Sequence, residues 1–104
     1  MKRTKRRYLA LQLESQKMPS GREFTDAIWA AITKLYGEVG ASLAGLVLIN
    51  FEGERKIFVI RVSLASLLSV RASLASVTSV AGEASSVHVL AVSGTLKALY
   101  ANID

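Results

Sequence analysis

One histidine, eight carboxylates and no cysteine leave this 104-residue chain little for imidazole, thiolate or metal chemistry. Without cysteine there are no disulfides, thiolate metal sites or sulfur nucleophiles, and a single His88 rules out a pair of imidazoles on zinc. His88 lies in an apolar run with Leu90 and Val92, where a structural imidazole is the expected role. Glu52 and Glu54 straddle Gly53; a magnesium ion could sit between them, but carboxylates in a solvated turn are the expected state. Gly37, Gly40 and Gly45 neither follow a strand nor open a basic loop, so they form no phosphate cradle. These residues predict a protein that is not an enzyme by itself.

The charge pattern carries more information. Lys2, Arg3, Lys5, Arg6 and Arg7 place five of the 13 basic side chains in the first seven residues, leaving eight against the eight acidic ones. The whole net charge of +5 is therefore concentrated at the start of the chain. A basic arm is what a polyanion contact requires, because Lys and Arg beside phosphates release condensed counterions. The plain alternative is a solubilising tail. Tyr8, next to the arm, and Arg61 and Lys97, further along, are the other candidate RNA contacts. A signal peptide is not expected, since only Tyr8–Leu11 are apolar before Gln12. Nor is a membrane span: Val62–Gly82 carries Arg71 and six serines.

Hydrophobic periodicity sets out the elements that must hold these residues. Residues 7–14 alternate as a strand with Leu9, Leu11 and Leu13 on one face. Met18-Pro19-Ser20-Gly21 then turns the chain. From Arg22 the period becomes helical, with Phe24, Ile28, Ala31 and Leu35 on one stripe, and Gly37 and Gly40 are expected to stop that helix. Two β-branched runs, 45–51 and 56–63, read as a hairpin. A second helix is expected from Leu64 to Ala81, a fourth strand over 87–92 and a short last helix from Leu96 to Ile103. This βαββαβ order plus a terminal helix predicts a single α+β domain over residues 1–104. Its architecture is ferredoxin-like (RRM-like), with a four-stranded antiparallel sheet and a basic arm over residues 1–6.

That architecture hosts RNA binders, ligand-sensing domains and enzymes alike. If Phe58, Ile60 and Val62 face the helices, Ile57 and Val59 line the opposite face, together with Arg61 and Ser63. This face is too apolar for water and poor in stacking rings, so the last helix or a partner protein is expected to cover it. On the second helix, Ser66, Ser69, Ser73 and Ser76 fall on one arc opposite an apolar half. An uncharged serine face suits close protein packing, so Ile57, Val59 and these four serines are the candidate partner contacts. Trp29 and Tyr36, on the flank of the first helix, are expected as peripheral core residues, with an anchor for a partner as the alternative.

Several segments, in order, resemble the archaeal ribonuclease P protein component 2 family: Lys5-Arg6-Arg7-Tyr8-Leu9-Ala10, Ala27-Ile28-Trp29, Leu35-Tyr36-Gly37-Glu38-Val39-Gly40 and Val92-Ser93-Gly94-Thr95-Leu96-Lys97-Ala98-Leu99. The serine-heavy second helix departs from the more charged version of that family. The resemblance implies a ferredoxin-like, non-catalytic subunit of the ribonucleoprotein that removes the 5′ leader from precursor tRNA. It implies no cofactor bound by the protein, with Mg2+ used by the catalytic RNA. It also implies ribonuclease P RNA and protein component 3 as partners, precursor tRNA as an indirect one, a dimer of heterodimers as an admissible assembly, and a cytoplasmic location. Two other functions fit the architecture: a regulatory domain for a small ligand, and an RNA-binding homo-oligomer outside tRNA processing. The basic arm disfavours the ligand-binding domain.

Overall fold

The structure, a computed structural model, describes residues 5–103. Strand β1 (Arg6–Ser15) leads to helix α1 (Gly21–Ala44), strands β2 (Val47–Glu52) and β3 (Ile57–Ser63), a 3-10 turn (Leu64–Ser66), helix α2 (Leu67–Ser76), strands β4 (Ser79–Val80) and β5 (Glu83–Ser93), and helix α3 (Leu96–Ile103). The sheet order is β2-β3-β1-β5-β4, with every neighbouring pair antiparallel. The predicted βαββαβ order with a terminal helix is therefore present, extended by the two-residue β4. Among the described residues no helix is long and apolar enough to cross a membrane.

Three local differences from the sequence reading have clear causes. Gly37 does interrupt α1, at φ 76° and ψ 176°, but the chain resumes helical geometry and runs on to Ala44. It stops where Gly45 adopts a left-handed conformation, φ 58° and ψ 39°, the usual C-terminal cap. The start of α1 is fixed by a reciprocal capping box: the Glu23 N–H donates to Ser20 Oγ at 3.1 Å, and the Ser20 N–H donates to Glu23 Oε1 at 2.9 Å. Second, α2 ends at Ser76 rather than Ala81. Val77 turns extended, and Ser79–Val80 folds back on Glu83–Ala84 around Ala81 and Gly82, both at positive φ.

Third, β5 carries a bulge. Leu11 pairs with Val89 and Ala10 with Ala91, so Leu90 is the extra residue. The bulge resets the alternation. Val87, Val89 and Val92 all pack against the main core, whereas Ala91 joins the opposite face. His88 therefore does not share a face with Val92, as strict alternation had suggested.

The core has two layers. Leu9, Leu11 and Leu13 of central β1 pack with Phe58, Ile60 and Val62 of β3 against α1 and α2. There the Phe58 ring stacks on Phe24 at 3.8 Å and on Phe51 at 4.4 Å. On the other face Ala10, Ile57 and Val59 meet Leu99 of α3, flanked by Leu96, Tyr100 and Ile103. Thr95 caps α3 through its hydroxyl, which accepts from the Ala98 N–H at 3.2 Å. Its far end is tied down by Arg55, whose Nη1 donates to the Ile103 carbonyl at 3.0 Å. Eight residues cannot hold a helix alone, so docking on the sheet is what orders α3.

Candidate nucleic-acid interface

Antiparallel pairing decides where the basic residues meet. The start of β1 lies between the end of β3 and the end of β5: Tyr8 is opposite Arg61 on one side and Ser93 on the other. The Leu64 N–H donates to the Lys5 carbonyl at 2.8 Å, which fixes Lys5 to the end of β3. Lys97 follows one turn after Ser93, in the first turn of α3. Lys5, Arg6, Arg7, Arg61 and Lys97 are therefore gathered at one end of the sheet. Lys2 and Arg3, the other two candidates, lie outside the described residues.

Each of these side chains is placed differently. Lys5, Arg6 and Lys97 are exposed, whereas Arg7, Tyr8 and Arg61 are half-buried. Arg7 Nη1 donates to the Arg6 carbonyl at 2.8 Å. A Cβ added at Gly94 would stand 3.5 Å from the same nitrogen, so the Ser93-Gly94-Thr95 turn runs beside the guanidinium. Arg61 has a buried Nε with no hydrogen-bond partner, a group whose desolvation is uncompensated within the described chain.

Among the described residues, none of these five cations enters an ion pair. The ion pairs lie elsewhere: Arg22 with Asp26 at 4.0 Å, Arg55 with Glu52 at 2.6 Å and His88 with Glu14 at 3.0 Å. Glu14 ends β1, Glu52 and Glu54 sit at the β2–β3 turn, Glu83 starts β5, and Glu23 and Asp26 start α1. By the same register these acids cluster at the opposite end of the sheet, a β1 length of about 30 Å away. Among the described residues only Glu38, past the kink of α1, is outside that group. The domain is an electric dipole with an uncompensated positive end.

The other sequence candidates are distributed differently. Ile57 and Val59 are 4% and 2% exposed beneath α3, so they are core rather than a surface for another protein. Of the serine arc, Ser66 and Ser69 are half-buried, Ser73 is fully buried and only Ser76 is exposed. Ser73 Oγ donates to the Ser69 carbonyl at 2.8 Å, and Ser76 Oγ to the Ser73 carbonyl at 2.7 Å. Small hydroxyls that return their hydrogen bonds to their own helix let α2 lie close on the body. Ser73 therefore faces inward, with Ser66 and Ser69 at the edge of the contact, and the outward side carries Ser76, Arg71 and Leu68, 84% exposed. Trp29 and Tyr36 are almost half exposed.

Glu52 does not wait for a metal. Arg55 grips both of its oxygens, Nε at 2.7 Å and Nη2 at 2.6 Å, and this holds the Glu52 pKa below the ordinary carboxylate value. His88 is exposed and joined across the sheet to Glu14, a contact the sequence reading missed because it depends on the β1–β5 register. Hydrogen bonds from His88 and then Ser86 likewise lower the Glu14 pKa. Among the described residues no three His, Asp or Glu side chains converge.

Comparison with known proteins bears on the family and the fold. The family model described as the Rpp14/Pop5 family matches residues 7–103. The protein called ribonuclease P protein component 2 of Pyrococcus furiosus is 34% identical over 97 residues, covering 93% of this chain and 81% of its own length. A chain in the cryo-EM structure of yeast ribonuclease MRP superimposes with a TM-score of 0.68 at 18% identity, covering 92% of this chain and 79% of that one, a likeness of fold. The chain belongs to the Rpp14/Pop5 family.

Proposed function

We propose that the chain is a protein subunit of ribonuclease P that touches RNA through the basic end of its sheet. The observation that carries this reading is the set of five cations, Lys5, Arg6, Arg7, Arg61 and Lys97, without acidic partners among the described residues. Family membership and the ribonuclease P relative support the assignment to a ribonucleoprotein. In this reading the RNA is the catalyst that removes the 5′ leader from precursor tRNA, in the cytoplasm. The protein binds no cofactor and works with protein component 3 to help the RNA fold and hold its Mg2+. Positive charge placed on a rigid strand end screens phosphate repulsion where RNA helices must approach, so less Mg2+ is needed for the active fold.

The test is reconstitution. Ribonuclease P RNA and component 3 are assayed for precursor tRNA cleavage across a Mg2+ series, with and without this chain. The expected result is a lower Mg2+ requirement with the chain, and no cleavage by the chain in RNA-free preparations. An unchanged Mg2+ requirement, or magnesium-dependent cleavage without RNA, would overturn the proposal.

A further inference from the structure

Among the described residues eight large apolar side chains stay exposed, and six of them belong to α1 and α2. The chain covers one face of its sheet with α3, but it leaves the outer face of the helical layer open. Val39 and Leu43, one turn apart after the kink of α1, are 73% and 67% exposed, and Leu68 in the first turn of α2 is more so. Ser63 Oγ donates to the Leu43 carbonyl at 2.9 Å, which places the end of α1 beside the segment that leads into α2. Further along, the two helices frame a recess of about 260 Å3. Ala27, Ala31, Lys34 and Leu35 of α1 form one wall, and Val77 and Ser79, which follow α2, form the other. Small side chains at helical spacing on one wall and exposed Leu and Val beyond it make a groove of the kind that takes an amphipathic helix.

Charge selects the occupant. Lys34 lines the recess and Arg71 lies one turn from Leu68 on the outward side of α2; both are exposed, and neither enters an ion pair among the described residues. Asp26 of α1 is drawn to Arg22 at 4.0 Å, α2 contains no acid, and Glu38 is the one carboxylate beside Val39. RNA needs rings to stack on, which Leu35, Val39, Leu43 and Leu68 do not offer. A second copy using this face would set one cationic surface against another. We propose that the α1–α2 groove docks an amphipathic helix of a partner protein, its apolar stripe against Leu35, Val39, Leu43 and Leu68 and its flanking carboxylates against Lys34 and Arg71. This rests on the ribonuclease P reading, in which the partner is component 3.

The experiment titrates the full chain with full-length component 3 in a calorimeter, at low and at high salt. Leu43→Asp and Leu68→Asp should each weaken binding about thirtyfold or more. Lys34→Glu combined with Arg71→Glu should weaken it at low salt, with a smaller difference at high salt. Leu90→Asp, at an exposed apolar position of β5, should leave it unchanged. All these side chains are exposed, so the variants keep the fold, which their circular dichroism checks. Hydrogen exchange should show a helix of component 3 protected in the complex; protection of a strand or loop instead overturns the proposal. Wild-type affinity in both leucine variants overturns the groove while leaving the ribonuclease P reading intact, and no binding of component 3 to the wild type overturns both. Self-association of the chain that Leu68→Asp abolishes, or a loss of ribonuclease P RNA affinity without loss of component 3 binding, would assign the face to a second copy or to RNA and overturn the docked helix.

Discussion

Replacing Lys5, Arg6 and Lys97 by serine tests the basic end with little risk to the fold. All three side chains are exposed, and among the described residues none makes an ion pair. Arg7 and Arg61 are left in place because both are half-buried and part of the sheet. Each phosphate neutralised by a cation contributes about 0.7 to 0.9 to the slope of log affinity against log salt. If all three touch RNA, the slope flattens by about two to three units. Across a fourfold rise in salt the wild type then loses about thirtyfold more affinity than the variant.

The matched control removes the same charge at the other end of the sheet: Lys17, Arg22 and Lys56, all exposed, which follow β1, open α1 and precede β3. At physiological ionic strength charges act over roughly 8 to 10 Å, so the control should keep nearly the wild-type slope. The assay is equilibrium binding of ribonuclease P RNA to the chain paired with component 3, at several salt concentrations. Parallel slopes for wild type and Lys5/Arg6/Lys97 variant would refute the assignment of that end. Equal flattening by the control would refute the localisation and leave only a diffuse effect of net charge.

Three further outcomes are expected. Leu99→Ala empties a fully buried position under α3 and should cost about 2 to 5 kcal/mol in denaturant unfolding, with amide protection lost first in residues 96–103. Gly37→Ala meets no steric neighbour but must adopt φ 76° and ψ 176°, a region essentially reserved for glycine, so a loss of about 1 to 3 kcal/mol is expected in the same assay. Glu14 and Glu52 both have lowered pKa values in the folded state. Their stabilisation is present above the ordinary value of 4.5 and is lost as pH falls below it. Melting temperatures between pH 3 and 6 should show this acid loss, and Glu14→Gln combined with Glu52→Gln should diminish it.

Most of the fold was legible because its signals are local and strong. The period-2 run of Leu9, Leu11 and Leu13 is unambiguous, and the turn at Gly53 sits between two β-branched runs. Of the helical stripe Phe24, Ile28, Ala31 and Leu35, the first two are buried and Ala31 partly so, while Leu35 is exposed and its neighbour Ile32 takes the core position. Reading failed where one residue type has two meanings. Gly37 both breaks helical geometry and permits its resumption, so a kink was read as an end. Val77, Val80 and their neighbours continue an apolar pattern that suits a helix as well as a tight β turn, and the left-handed Ala81 decides between them only in three dimensions. On α2 the uncharged serine arc reads as a packing face for a partner protein, yet Ser73 is buried in this domain's own core, its hydroxyl already satisfied by its own helix.

The site divides along the same line. The arm's charge can be read from composition, but charge acquires direction only through register. Antiparallel pairing brings residues 5–7, 61 and 97 together although they span almost the whole chain, and it sends Glu14, Glu52 and Glu83 to the far end. A single-residue bulge at Leu90 then decides that His88 shares a face with Glu14 rather than with Val92. No periodicity argument locates a bulge, since Val89, Leu90, Ala91 and Val92 are all apolar. The same insertion lets Ala91 pack under α3 while Val92 remains in the main core. One extra residue in β5 thus sets both how the terminal helix docks and which polar groups the open end of that face presents.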